Sequence, residues 1–245
     1  MINSFVIIVP ARAGSTRLPN KPLAMINGRT VISRIIDLAN SSDAANLYIA
    51  TDSDEIKNHC ESYGANVVMT SSNHISGMDR IAEAAKILDL PISTPIVNLQ
   101  GDEPFMPVQI INQLPMLLST ETPISTACIQ FSNEMDFNSP HEVKVVRSIS
   151  KKAMYFSRAL IPSSSNEDCK NYLKHLGIYA YTNETLQTLS KLHPTANEKL
   201  EQLEQLRFLD NGFNIIVEDF ACQAPIGIDT PEDLESATIF AKKND

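Results

Sequence analysis

Between residues 5 and 118 short apolar runs and amphipathic stretches alternate, strand then helix, four times over. Few folds accept that rhythm. Residues 5–9, 47–50, 66–69 and 95–99 read as strands, and residues 30–39, 54–63, 79–88 and 107–118 as the helices between and after them. In the first helix Val31, Ile35, Ile36 and Leu38 recur near helical spacing. Repeated β-α-β units imply a mostly parallel, Rossmann-like sheet with helices on both faces. In such sheets the ligand crevice lies at the carboxyl ends of the strands. The segments found there are polar: PARAGSTR, ATDSD, TSSNHISG and QGDEP.

From about Ile124 the texture changes. Residues 125–131 and 142–147 look like antiparallel-type strands, followed by 153–159, a serine-rich turn at 163–165, and 176–181. A helical run over 197–209 (NEKLEQLEQLRFL) places Leu200, Leu203 and Leu206 as a packed face. A last strand at 214–217 precedes 224–230 and a closing helix from Pro231. There is no internal repeat and no low-complexity linker. The expected organisation is one α/β domain over 1–245 with a strand-rich cap inserted over roughly 124–195.

Acidic residues outnumber basic ones, 29 to 20, for a formal net charge of -9. A general nucleic-acid or anionic-membrane binder needs a broad basic surface, so both classes are set aside. Cys60, Cys128, Cys169 and Cys222 are widely spaced, without a CxxC or a nearby His cluster. That argues against a disulfide framework or zinc site and for a reducing cytosol. The apolar start FVIIV is too short for a signal peptide or a membrane span. A cytoplasmic, soluble protein is expected.

Against this acidic background the loop PARAGSTRLPNKPL stands out, with Arg12, Arg17 and Lys21 and little acid beside them. Backbone amides of a glycine-containing turn, with side-chain cations, make a nest for phosphate oxygens. The loop is neither GxxxxGK[ST] nor GxGxxG. A solvated loop with incidental charges is the alternative, but the position directly after a core strand favours an anion site. Asp102 in QGDEP stands one residue past a glycine at a strand end, suited to Mg²⁺, which takes one or two carboxylates plus waters and substrate phosphates. Asp229 in GIDTP is the candidate partner. Asp229-Thr230-Pro231-Glu232 also reads as a helix N-cap, and the two roles can coexist.

VPARAGSTRLPNKPL, ATDSDEI, MTSSNHISGMDRIAEA, IVNLQGDEP, VKVV, YFSRALIP, KHLGIYAY, EKLEQLEQLR and GIDTPEDLE follow one another along nearly the whole chain. In order and spacing they resemble bacterial 3-deoxy-manno-octulosonate (Kdo) cytidylyltransferases, also called CMP-Kdo synthetases. The resemblance implies the reaction CTP + Kdo → CMP-Kdo + pyrophosphate, for lipopolysaccharide synthesis. It implies Mg²⁺ on Asp102 and Asp229, with Lys21 and Arg12 also catalytic. It places CTP on Ala11, Arg12, Ser15, Arg17, Lys21, Ser76 and Arg80, and the sugar acid on Gln100, Arg158, His175, Tyr179 and Glu198. A homodimer built through the strand-rich region is implied as well. Read without the motif, Arg80 is a helix-start residue in an ion pair, His175 a hydrogen-bonded core residue, and Glu198 a first-turn acid.

The chain departs from the family pattern at Ala13, Met78, Lys174 and Ser163. These departures leave open an altered acid sugar such as 8-amino-Kdo. A sialic acid-like substrate and a catalytically silent nucleotide-binding subunit are the other rivals.

Overall fold

The computed structural model describes residues 4–14, 17–74, 76–132, 138–163 and 172–245. Ser15 and Cys169 lie outside the described residues, as does part of the serine-rich turn. The chain forms two compact units, residues up to 112 with 225–245, and residues 113–224.

The first unit holds the parallel β/α repeat. β1 (Val6–Ala11) pairs in parallel with β4 (Asn46–Thr51) on one side and β6 (Pro95–Asn98) on the other, and β4 pairs in parallel with β5 (Asn66–Met69). Ile7, Ile8 and Val9 are fully buried, as a near-continuous apolar central strand requires. A small antiparallel hairpin, β2 (Met25–Ile26) and β3 (Arg29–Thr30), turns at Asn27-Gly28 with φ of 47° and 83°. That pair of left-handed residues is what a tight hairpin turn demands.

The flanking helices are α1 (Val31–Asn40), α2 (Asp54–Ser62), α3 (Gly77–Ile87) and α4 (Val108–Gln113). Each of the first three begins on a hydroxyl that accepts an amide of the first turn: Thr30 from Ser33, Ser53 from Ile56, Ser76 from Asp79. The helix expected over 107–118 is shorter than that. It gives way to a 3-10 turn, Leu114–Leu117, because Pro115 lacks the amide a longer helix needs.

The second unit is mostly antiparallel. Its strands are β7 (Ile124–Gln130), β8 (Lys144–Arg147), β9 (Ala153–Ser157), β10 (Leu173–Thr182) and β11 (Ile215–Asp219). β7 pairs antiparallel with β10 and in parallel with β11, while β8 bridges β10 and β9, both antiparallel. Three short helices follow β10: α5 (Asn183–Leu189), α6 (Ala196–Glu201) and α7 (Gln205–Asp210).

The single helix expected over 197–209 is therefore two. Gln202 takes a left-handed φ of 54° and ends α6. Leu203 and Leu206 are buried as expected, but Leu200 is 82% exposed, since the break removes it from the packed face.

The chain then returns to the first unit with α8 (Pro231–Asn244), capped by Thr230 with Pro231 in its first turn. Its far end is anchored by Arg34, whose guanidinium donates to Asp245 Oδ1 at 3.0 Å and Oδ2 at 2.6 Å. Phe240 packs edge-on against Phe105, with ring centroids 5.0 Å apart.

Candidate active site

The first unit carries a cavity of about 350 Å³ at the carboxyl ends of β1 and β6 and the start of α3. Arg12 and Arg17 enter from the loop after β1, and Lys21 from the 3-10 turn Lys21–Leu23 that follows. Asn20, at φ 52°, supplies the left-handed kink that starts that turn. Opposite stand Asp102, after β6, and Asp229, before α8. Gly101 has a specific reason to be glycine: a Cβ there would lie 2.6 Å from the carbonyl oxygen of Pro10. The close backbone approach brings Asp102 up to the end of β1.

Lys21 Nζ donates to Asp102 Oδ2 at 2.7 Å and to Asp229 Oδ1 at 3.0 Å. Arg17 reaches Asp229 Oδ2 at 3.2 Å. Sequence reading placed these cations in a neighbourhood short of acid. The folded chain supplies the acid from 81 and 208 positions away. Burial alone pulls the Lys21 ammonium down, but Asp102 and Asp229 outweigh it and hold its pKa above the ordinary 10.5. The lysine is therefore fully charged. Both carboxylates reach one common cation, which is the property a shared divalent ion requires. Among the described residues no group of three or more His, Cys, Asp or Glu gathers as a metal set. A two-carboxylate set still fits Mg²⁺, which completes its shell with waters and substrate phosphates.

On the α3 side, Ser76 and Arg80 line the cavity. Arg80 is 3% exposed and donates to Thr70 Oγ1 at 2.7 Å and to Asp52 Oδ2 at 2.8 Å. It is thus both an ion-paired residue and a wall of the pocket. Gln100 lines the cavity too, its amide donating to Asn98 Oδ1 at 3.1 Å.

The other four sugar positions implied by the resemblance lie in the second unit. His175 is buried against Phe156, with Nε2 3.0 Å from Thr126 Oγ1 and 3.1 Å from the Tyr179 hydroxyl. Burial pushes its pKa from 6.5 down to about 3, so it is neutral, and burial raises the Tyr179 hydroxyl well above 10.0. The Arg158 guanidinium donates to the carbonyls of Glu201, Pro140 and Gln202. Glu198 accepts from the Thr195 amide in a capping box and from Arg207 through both Nη2 and Nε, the latter at 2.8 Å.

The family model described as cytidylyltransferase matches residues 6–220. A protein named 3-deoxy-manno-octulosonate cytidylyltransferase from Polynucleobacter necessarius subsp. necessarius is 44% identical over 236 residues, 94% of this chain and 93% of its own length. This chain belongs to the 3-deoxy-manno-octulosonate cytidylyltransferase family. A namesake from Francisella tularensis subsp. holarctica (strain LVS) is 43% identical over 237 residues, covering 94% of this chain and 95% of its own. A solved CMP:2-keto-3-deoxy-manno-octonic acid synthetase complexed with CTP matches with a TM-score of 0.91 at 35% identity, over 99% of this chain and 100% of that one.

As a cytidylyltransferase the chain is a nucleotidyltransferase. Its cavity gathers Ala11, Arg12, Arg17, Lys21, Ser76, Arg80, Gln100, Asp102 and Asp229. His74 lines the same cavity and was not singled out from sequence, although its segment TSSNHISG was marked as a strand end. Its Nε2 lies 2.6 Å from Glu83 Oε2, which also accepts the Ser71 amide at 2.8 Å. Burial raises the Glu83 carboxyl, but the Ser71 amide and His74 overcome this and bring it below 4.5. The signal that could have found His74 was a ring placed three residues before a helix start with an acid nine residues on.

Among the described residues no helix is long and apolar enough to cross a membrane.

Proposed function

We propose that this chain transfers CMP from CTP to the anomeric hydroxyl of Kdo, with Mg²⁺, releasing pyrophosphate. The observation that carries the reading is the juxtaposition of Arg12, Arg17 and Lys21 with Asp102 and Asp229 in one cavity. The relatives' names and the CTP in the matched structure supply the substrates. The hydroxyl oxygen attacks the α-phosphorus, the bond to the β-phosphate oxygen breaks, and the hydroxyl proton is released.

Arg12 and Arg17 are exposed guanidinium groups suited to bidentate contact with phosphate oxygens. Lys21 adds a mobile point charge beside them. Asp102 and Asp229 would hold the magnesium, which when bound supplies charge neutralisation on the reacting phosphate. Ser76 and Arg80 form the wall proposed to meet the base and ribose.

For the sugar acid we carry forward Gln100, Arg158, His175, Tyr179 and Glu198 as proposed positions. Neutral His175 and the Tyr179 hydroxyl are hydrogen-bonding groups of the kind a polyol needs. Arg158 and Glu198 already have internal partners, so a sugar contact has to share them. Lys174 is bonded to Glu142, and Met78 is buried rather than lining the cavity. Neither of these two departures from the family pattern lines the cavity, and Kdo follows the relatives' names as the substrate. A homodimer is carried as part of this reading on the family resemblance alone. The use of CTP, a cytosolic nucleotide, supports a cytoplasmic location.

The test is pyrophosphate release from CTP and Mg²⁺ with Kdo, with 8-amino-Kdo and with sialic acid. Release with Kdo is expected. Release with only another acid moves the substrate, and release with none sinks the reaction.

A further inference from the structure

Asp229 sits on a segment whose backbone is held by a residue with no part in the chemistry above. Three consecutive amides are tied. Ile228 N–H donates to the Asp102 carbonyl at 2.9 Å. The next two, Asp229 N–H and Thr230 N–H, both donate to Asp233 Oδ2, at 3.0 and 2.9 Å. Asp233 N–H in turn donates to Thr230 Oγ1 at 3.2 Å, completing a capping box at the start of α8.

In an ordinary capping box the carboxylate at the third position takes one amide, that of the N-cap. Here it takes a second, from the residue before the N-cap, which is the residue whose side chain meets Lys21. Pro231 has no amide to compete for that oxygen, and its ring fixes the local φ. The far end of α8 is already anchored through Asp245 and Arg34. The orientation of Asp229 at the near end is therefore set by Asp233 from one side and by the Ile228–Asp102 bond from the other.

We propose that Asp233 is a positioning residue for the reaction: it fixes the Asp229 backbone so that its carboxylate faces the cavity together with that of Asp102. This rests on the reading of Asp229 as a magnesium carboxylate. Outer-shell groups bonded to the ligating side chain itself carry about ten- to hundredfold of metal affinity, and a bond to the ligand's backbone is expected to fall at the lower end of that range.

The experiment uses the full chain with CTP and Mn²⁺ as probe, counting unbound Mn²⁺ by electron paramagnetic resonance, with Tm and Mg²⁺-dependent turnover beside it. Asp233→Ala is expected to weaken Mn²⁺ binding about tenfold or more. Asp233→Asn keeps an acceptor oxygen and is expected within about threefold of wild type, which separates hydrogen bonding from loss of charge. Thr230→Ala removes the other half of the box. It is expected to lower Tm as Asp233→Ala does, yet to leave Mn²⁺ affinity within about twofold. If Asp233→Ala does not fold, Asp233→Ser, whose hydroxyl is one bond shorter than the carboxylate, replaces it.

Wild-type Mn²⁺ affinity in Asp233→Ala overturns the proposal. So does an Asn variant as weak as Ala, or equal losses in Thr230→Ala and Asp233→Ala. Weakened Mn²⁺ binding without turnover of any acid sugar by wild type would leave the positioning role standing and remove the reaction.

Discussion

Two clusters of polar side chains, one in each unit, are placed in opposite ways. In the first, Lys21, Asp102 and Asp229 meet at a cavity with side-chain exposures of 14%, 32% and 48%. In the second, Arg207 and Glu198 are paired at 9% and 13%, and His175 and Tyr179 bond to each other inside the core. The first arrangement leaves charge facing a space where a ligand can take over the contacts. The second satisfies its charge within the fold, so a sugar contact there has to share those partners. A motif match alone does not separate these cases, but the partners of each side chain do.

The largest effect expected from this contrast is on turnover. Asp102→Asn should lower kcat with CTP and Kdo by roughly 100- to 1,000-fold, the cost of losing one electrostatic group at a reacting centre. Its Tm should stay near wild type, because the residue is part-exposed. A collapse in Tm with kcat retained would place Asp102 with the structural pairs instead.

The reverse pattern is expected of Arg207→Ala. It strands the Glu198 carboxylate and should cost about 3–5 kcal/mol in chemical denaturation, as breaking a buried pair does. CTP affinity of the folded fraction should be unchanged. An undiminished denaturation midpoint would show that the pair is not structural.

A smaller effect separates the units by pH. Folded His175 has its pKa lowered by burial from 6.5 to about 3, so between those values the unfolded chain takes up a proton that the folded chain refuses. Stability should therefore fall as pH drops below 6.5, by at most about 1.4 kcal/mol per unit from this group. His175→Gln should flatten that acid limb in urea titrations. Superimposable profiles for the two proteins would show that His175 is not buried neutral.

Much of the first unit was legible in the sequence because its elements are signalled locally. Ser53 and Ser76 precede their helices, and Gly64, at φ 86°, follows the second. The apolar runs of β1, β4, β5 and β6 lie within a residue or two of where periodicity puts them. The break at Gln202 was not legible, since a glutamine carries no turn signal, yet it takes the left-handed backbone and ends the helix with its amide on the Glu198 carbonyl.

For the site, the loop cations and Asp102 could be read from their place at strand ends. Their pairing could not, because Asp229 meets Lys21 only after the chain has passed through the whole second unit. For Asp229, capping and pocket roles had both been open. The structure divides them: Thr230 caps α8, and Asp229 faces the cavity. The Glu198–Arg207 pair was hidden for a different reason, since the eight intervening residues include a helix end that periodicity does not signal.

The most direct test of the contrast is calorimetric titration of CTP with Mg²⁺ into wild type, Lys21→Ala and Glu198→Gln. Losing a charge-assisted contact to phosphate should weaken CTP binding by about ten- to hundredfold in Lys21→Ala. Glu198→Gln should bind CTP as wild type does. Unaltered affinity in Lys21→Ala, with affinity lost in Glu198→Gln, would contradict the assignment of the first unit's cavity to the triphosphate.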